Sequence, residues 1–139
     1  MASAIWCIED DPDATDVACI SDGVFHFGRA QAVGGDARPI ACFLREGDRI
    51  VAGATGRTEF NRLFTSYLWV SDERRGQGLG SECLTRLEAA ARARGCTDAV
   101  LETLSDSNQA LYERLGYETI VTLVAWVGGF NRHFMRKSL

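Results

Sequence analysis

An apolar run, Tyr67-Leu68-Trp69-Val70, leads into Arg74-Arg75-Gly76-Gln77-Gly78-Leu79-Gly80, and an amphipathic segment follows from Leu79 to a closing Gly95. The order reads as strand, glycine loop, helix. Three glycines let the backbone come close to a ligand and turn several N–H groups one way, and the helix start adds positive partial charge. A tight strand-to-helix turn without a ligand would look similar, but two arginines beside three glycines favour a grip for anions, phosphates above all.

The details separate the phosphate loops that share this logic. A Walker loop needs a lysine and then Ser or Thr after its last glycine. Here Gly80 is followed by Ser81 and Glu82, and Lys137 is the only lysine of the chain. The dinucleotide fingerprint fails too, because Ser81 stands where its third glycine belongs and no ribose-binding acid follows a strong βαβ unit. The pattern that fits is Arg75-x-x-Gly78-x-Gly80.

With 139 residues the chain has the length of one domain, expected to span residues 1–139. A hydrophobic fraction of 46% with 24% charged residues is that of a soluble globular chain. No apolar run reaches the roughly 20 residues that span a bilayer, and no basic, then apolar leader opens the chain, so a cytoplasmic location without membrane contact is expected. Cys7, Cys19, Cys42, Cys83 and Cys96 form no CxxC pair and do not cluster with His26 or His133, so free thiols are expected and no metal site. Cys83 falls on the apolar face of its helix and reads as core. The net charge of −4 lies wholly in the first half, which argues against the basic stripe a nucleic-acid partner requires.

Periodicity predicts a mixed α/β layer. Ile5 to Ile8 reads as a short strand. Asp10-Asp11-Pro12-Asp13 starts a helical stretch toward Ala32, which Gly23 and Gly28 threaten to break. Pro39 to Arg45 and Arg49 to Thr55 form a hairpin through Glu46-Gly47-Asp48, and residues 63 to 70 form the next strand. Leu79, Cys83, Leu84, Leu87, Ala90 and Ala91 share one helical face, with i,i+4 pairs Glu82–Arg86 and Glu88–Arg92 outside it. Ala99 to Leu104 is a strand, Ser105 or Ser107 caps a helix ending at Gly116, and Tyr117 to Val127 turns at Gly128-Gly129 into a last strand, Arg132 to Arg136.

The loop, together with Asn108-Gln109-Ala110-Leu111-Tyr112-Glu113-Arg114-Leu115-Gly116-Tyr117, resembles the GNAT superfamily of N-acetyltransferases. That family's pyrophosphate loop reads Gln or Arg, two residues, Gly, one residue, Gly or Ala. Its later block carries an Asn, an Ala, a Tyr and Leu-Gly-Tyr in this order and at about this spacing. The resemblance covers residues 62 to 120 well and the remainder by length and pattern. It implies a mixed, mostly antiparallel sheet of six to seven strands flanked by helices, and acetyl-CoA as acyl donor without a metal.

What the resemblance implies for single residues is specific. Arg74, Arg75, Gly76, Gln77, Gly78, Leu79, Gly80 and Ser81 would hold the pyrophosphate. Leu68, Trp69 and Val70 would pair with pantetheine, and a backbone N–H among them would polarise the thioester carbonyl, while the Trp69 ring packs on the opposite sheet face. Tyr112 would return a proton to the thiolate; by spacing alone it would pack beside Leu111 and Leu115. Asn108 would bond pantetheine amides or cap its helix. Glu59 stands where some relatives place a base acting through water, and is equally a loop charge beside Arg57 and Arg62. Tyr67 and Glu102 are weaker candidates, and Asp72 and Glu73 shape the turn.

The acceptor would be a primary amine on a small molecule, attacked directly in a ternary complex. The acceptor site would be built by residues 12 to 34, 56 to 64 and 124 to 132. Whether the chain pairs as a homodimer is left open. A catalytically silent acyl-CoA sensor is the alternative from another class.

Overall fold

The computed structural model describes residues 2–31 and 36–139. The chain divides into two compact units, Met1–Val33 and Gly34–Leu139. The first holds helix α1, Ala14–Gln31. Its start is set by Asp13, whose carboxylate accepts the Thr15 N–H at 2.8 Å and whose carbonyl accepts the Val17 N–H at 3.1 Å. The Thr15 backbone bond holds the Asp13 carboxyl below its usual range.

Two expectations are corrected in this unit. The helix runs unbroken through Gly23 and Gly28, since each glycine costs only about 1 kcal/mol against alanine and removes no backbone bond. No strand forms over Ile5 to Ile8: a strand exists only through its ladder bonds, and the six strands pair among residues 38 to 138. Ala32 lies outside the described residues.

The second unit carries β1 (Arg38–Glu46), β2 (Arg49–Glu59), β3 (Arg62–Val70), α2 (Leu79–Ala93), β4 (Asp98–Thr103), α3 (Asp106–Arg114), β5 (Glu118–Val127) and β6 (Phe130–Ser138). They form one six-stranded sheet of order β1-β2-β3-β4-β6-β5. Every pairing is antiparallel except β3 with β4, which need a crossover, and α2 provides it. The turn from β2 to β3 places Phe60 and Asn61 at φ 53° and 59°, as a two-residue hairpin of this twist requires. On α2, Cys83, Leu84, Leu87 and Ala91 are buried and pack with Ile40, Ala52, Ala54, Leu63 and Ala99 of the sheet. Cys83 is therefore a core residue, and burial pushes its thiol pKa up. Among the described residues no helix is long and apolar enough to cross a membrane.

A charged network lies inside this core. Glu88, 2% exposed, accepts the Tyr117 hydroxyl at 2.7 Å and the Lys137 ammonium at 2.8 Å. Burial first, then the bond to Glu88, raises the Tyr117 pKa, so the phenol remains a donor. Removing the carboxylate leaves a phenol and an ammonium without their acceptor. Glu88→Ala is expected to lower stability by about 2 kcal/mol, and Glu88→Gln, which keeps the acceptor for Tyr117, by less. Equal unfolding midpoints in urea for Glu88→Ala and the parent chain would contradict this.

A second charged group sits at the foot of β3 and β4. The Asp98 carboxylate accepts Nε and Nη2 of Arg62, each at 2.8 Å, and Nε of Arg136 at 2.9 Å. The Arg62 bonds, helped by Arg136 and opposed by burial, hold the Asp98 carboxyl below the usual range. Its contribution is therefore fully present above pH ~3.9, the unfolded value, and is lost as pH falls through the folded one. Asp98→Asn is expected to flatten the loss of stability below about pH 4, measured by thermal melts; an unchanged acid limb would remove Asp98 from the account.

Candidate active site

The site begins where β3 and β4 stop pairing. Their register holds only for Arg62↔Asp98, Leu63↔Ala99 and Phe64↔Val100, while β4 continues along β6 as far as Thr103. On its other edge β3 shifts register against β2, which skips Ser66. Gly56 permits this approach, since a Cβ there would lie 2.2 Å from the Phe64 carbonyl oxygen. From Thr65 to Val70, β3 therefore has no ladder bonds to β4, and a wedge opens between the two strands.

The glycine loop lies at the head of that wedge. Gly76 and Gly78 take φ 76° and 75°, the left-handed region, and a Cβ at either would meet nothing within 4 Å. The Cβ side of both glycines is therefore open. Gly78 is the N-cap of α2 and no side chain caps the helix; the first bond back is the Glu82 N–H to the Gly78 carbonyl at 3.1 Å. The opening N–H groups of a helix have no partner within it, so the first turn of α2 offers donors and positive partial charge to an anion. Gly80 lies 3.7 Å from Val70 and 3.8 Å from Leu68 at the Cβ position, which packs the helix start onto β3. Arg74 pairs with Glu46, and Arg75 bonds Asp72 at 3.0 Å and the Val70 carbonyl at 3.3 Å.

Helix α3 closes the other side. Ser105 caps it by accepting the Asn108 N–H at 3.2 Å. Buried His133 ties its first turn to the sheet, with Nε2 2.7 Å from Asp106 Oδ1 and Nδ1 2.9 Å from the Thr122 hydroxyl. Tyr112 is 8% exposed, its ring meets Tyr117 edge-on at 6.0 Å, and burial raises its pKa, so it carries its proton at neutral pH.

A cavity of about 610 Å³ joins these parts. Leu68, Trp69, Val70, Arg74, Arg75, Gly76, Gly78, Leu79, Gly80, Ser81, Asn108 and Tyr112 all line it; of the residues expected there only Gln77 does not, and Leu111 is added. Strand alternation carries the Trp69 side chain to the face opposite Leu68 and Val70. A second cavity of about 490 Å³ fills the wedge and shares Leu68, Asn108 and Tyr112 with the first. A third, about 900 Å³, shares Thr65, Ser66 and Leu101 to Leu104 with the second and extends along the sheet to Arg57, Arg62 and Arg136.

Glu59 lines none of the three cavities; it is 6% exposed and accepts Arg57 Nε at 3.2 Å. Glu102 lines the second and third and pairs with Arg132. Tyr67 lines the second cavity, while Asp72 and Glu73 form the 3-10 turn before the loop. Of the expected acceptor segments, 56 to 64 contributes Arg57, Arg62 and Phe64 to the third cavity and 124 to 132 contributes Trp126 and Arg132. The Thr65 hydroxyl, buried and without a hydrogen-bond partner, carries no signal in the sequence, because its isolation follows from the wedge. Among the described residues no group of three or more His, Cys, Asp or Glu is arranged to hold a metal ion.

Comparison with known proteins agrees with this geometry. The model of the acetyltransferase (GNAT) family matches residues 7–117. The chain is 30% identical over 109 residues to a blasticidin-S acetyltransferase of Streptomyces morookaense, covering 75% of this chain and 80% of that protein. It is 31% identical over 119 residues to an acetyltransferase of Agrobacterium fabrum, covering 85% and 87%. A crystal structure of a putative acetyltransferase from Agrobacterium tumefaciens superposes with a TM-score of 0.90 at 26% identity, over 98% of this chain and all of that one. A wedge between parallel strands, an uncapped glycine-rich helix start and a family match spanning both belong together: the chain is a member of the GNAT family of acetyltransferases.

Proposed function

We propose that the protein transfers the acetyl group of acetyl-CoA to a primary amine of a small molecule by direct attack in a ternary complex. One observation carries this reading: the glycine loop and the buried Tyr112 line one cavity, which runs through shared walls into the wedge. The space inside the loop and the uncapped amides of α2 fit a pyrophosphate. The edge of β3 that β4 leaves open, at Leu68 to Val70, suits the amides of an extended pantetheine arm. The match to residues 7–117 supports a single acetyltransferase domain over residues 1–139.

Acetyl-CoA supplies an activated thioester when bound, and the chain's residues do the rest. A β3 amide on the edge that β4 leaves open would polarise the thioester carbonyl as negative charge develops on its oxygen. Tyr112, kept protonated by burial, donates to the departing sulfur, since an ordinary thiol titrates at about 8.5. The amine must arrive neutral. Glu102, on the wall shared by the wedge and the third cavity, takes its proton through water; Glu59, outside all three cavities, reaches the site through Arg57.

The relative named for blasticidin-S supports a small-molecule acceptor. Thiol release from acetyl-CoA, measured against a panel of small amines, tests the reading. Amine-dependent release is expected. Binding of acetyl-CoA without release under any amine would point to a sensor, and no binding would refute both.

A further inference from the structure

The third cavity has a composition that the transfer reaction alone does not require. At its foot, two guanidinium groups, Arg62 and Arg136, share the single carboxylate of Asp98, leaving one positive charge in excess. Glu118 stands across from Arg136 in the strand register, and the ion pair of Arg136 among the described residues runs to Asp98. Arg62 spends Nε and Nη2 on Asp98, whereas Arg136 spends only Nε and keeps both terminal nitrogens for a ligand. Higher up, Arg132 pairs with Glu102 and lies over two rings, 5.5 Å from the centroid of Trp126 and 5.1 Å from that of Phe134. The rings of Trp126 and Phe134 thus line the way from the two terminal nitrogens of Arg136 to the carboxylate at the wedge.

We propose that this cavity selects an amine that also carries a carboxylate, with a planar body between the two groups. The carboxylate docks on the free fork of Arg136 beside Arg62, the plane lies against Trp126 and Phe134, and the amine reaches Glu102 at the wall shared with the wedge. The register sets the length: Arg136 stands opposite Val100, and Phe134 opposite Glu102. Two residues of strand separate those levels, so amine and carboxylate are on the order of 7 Å apart. A carboxylate meeting a guanidinium that another acid has oriented but not neutralised gains a charge-assisted bond, and a neutral amide in its place does not. The inference uses the transfer reading only to say which end of the acceptor faces the wedge.

Calorimetry on the protein saturated with CoA, using para-(aminomethyl)benzoate and para-(aminomethyl)benzamide, tests it. The acid is expected to bind at least about 10-fold tighter than the amide. Arg136→Gln is expected to bring the two together while acetyl-CoA affinity holds, which shows the variant folded. Equal binding to the parent protein, or a preference that survives in Arg136→Gln, would overturn the assignment. Thiol release in parallel samples that hold acetyl-CoA in place of CoA separates the two readings: an Arg136-dependent preference without transfer upholds this cavity's selectivity and refutes the transfer reading.

Discussion

Gly78→Glu is expected to weaken acetyl-CoA binding by about 100-fold or more, read by calorimetry, while stability falls by no more than about 2 kcal/mol. The two effects separate because their causes differ. Gly78 sits at φ 75° with nothing within 4 Å of a Cβ, so a side chain there meets left-handed strain but no clash. That strain costs about 1–2 kcal/mol. A carboxylate at the N-cap, by contrast, occupies the space around the first-turn amides and repels the phosphates they would bind. Gly78→Asn separates strain from charge, since Asn tolerates the left-handed region and is neutral. It should keep affinity within a few fold. If Gly78→Glu binds acetyl-CoA as tightly as the parent chain, the loop is a turn and not an anion grip.

Tyr112→Phe is expected to lower kcat about 100-fold and to leave the KM for acetyl-CoA within about twofold. The Tyr112 ring is buried and meets the Tyr117 ring edge-on at 6.0 Å, so phenylalanine, which keeps the ring, should preserve the packing. Only the hydroxyl is lost. An interaction made chiefly as the thiolate departs affects the chemical step and not the binding of the donor. Because burial raises the Tyr112 pKa, the parent enzyme should not lose rate through this group until the pH passes its ordinary value of about 10. An unchanged kcat would return Tyr112 to the role of a core residue.

The parts of this site that are legible in the sequence are those that local chemistry writes. The glycines at positive φ, the apolar face of α2 and the Ser105 cap of α3 depend on residues within a few positions of one another. The wedge is not legible in that way. It exists because β3 pairs with β4 over only three residues and slips past Ser66 against β2, and both facts are set by partners distant in the chain. The same dependence explains why Glu102 and the arginine cavity carry so little signal in the sequence. β4 carries Glu102 to the open side of the wedge, whereas Glu59, nearer to the cofactor strand in sequence, is buried, accepts from Arg57 and itself lines none of the three cavities. The Ile5 to Ile8 strand fails for a related reason, since alternation and β-propensity describe a segment and not its ladder. Gly23 and Gly28 show the reverse case, in which a weak local penalty does not break a helix of 18 residues.

In the proposed reaction the loop at the start of α2 would hold the pyrophosphate of acetyl-CoA and so bring the thioester to Tyr112 in the wedge. The most direct test is a comparison of acetyl-CoA with S-acetylpantetheine, which keeps the thioester and the pantetheine arm but lacks the nucleotide and its phosphates, by calorimetry on the parent protein. Acetyl-CoA is expected to bind at least about 100-fold more tightly, and Gly78→Glu to remove most of this difference. Equal affinity for the two compounds would contradict it.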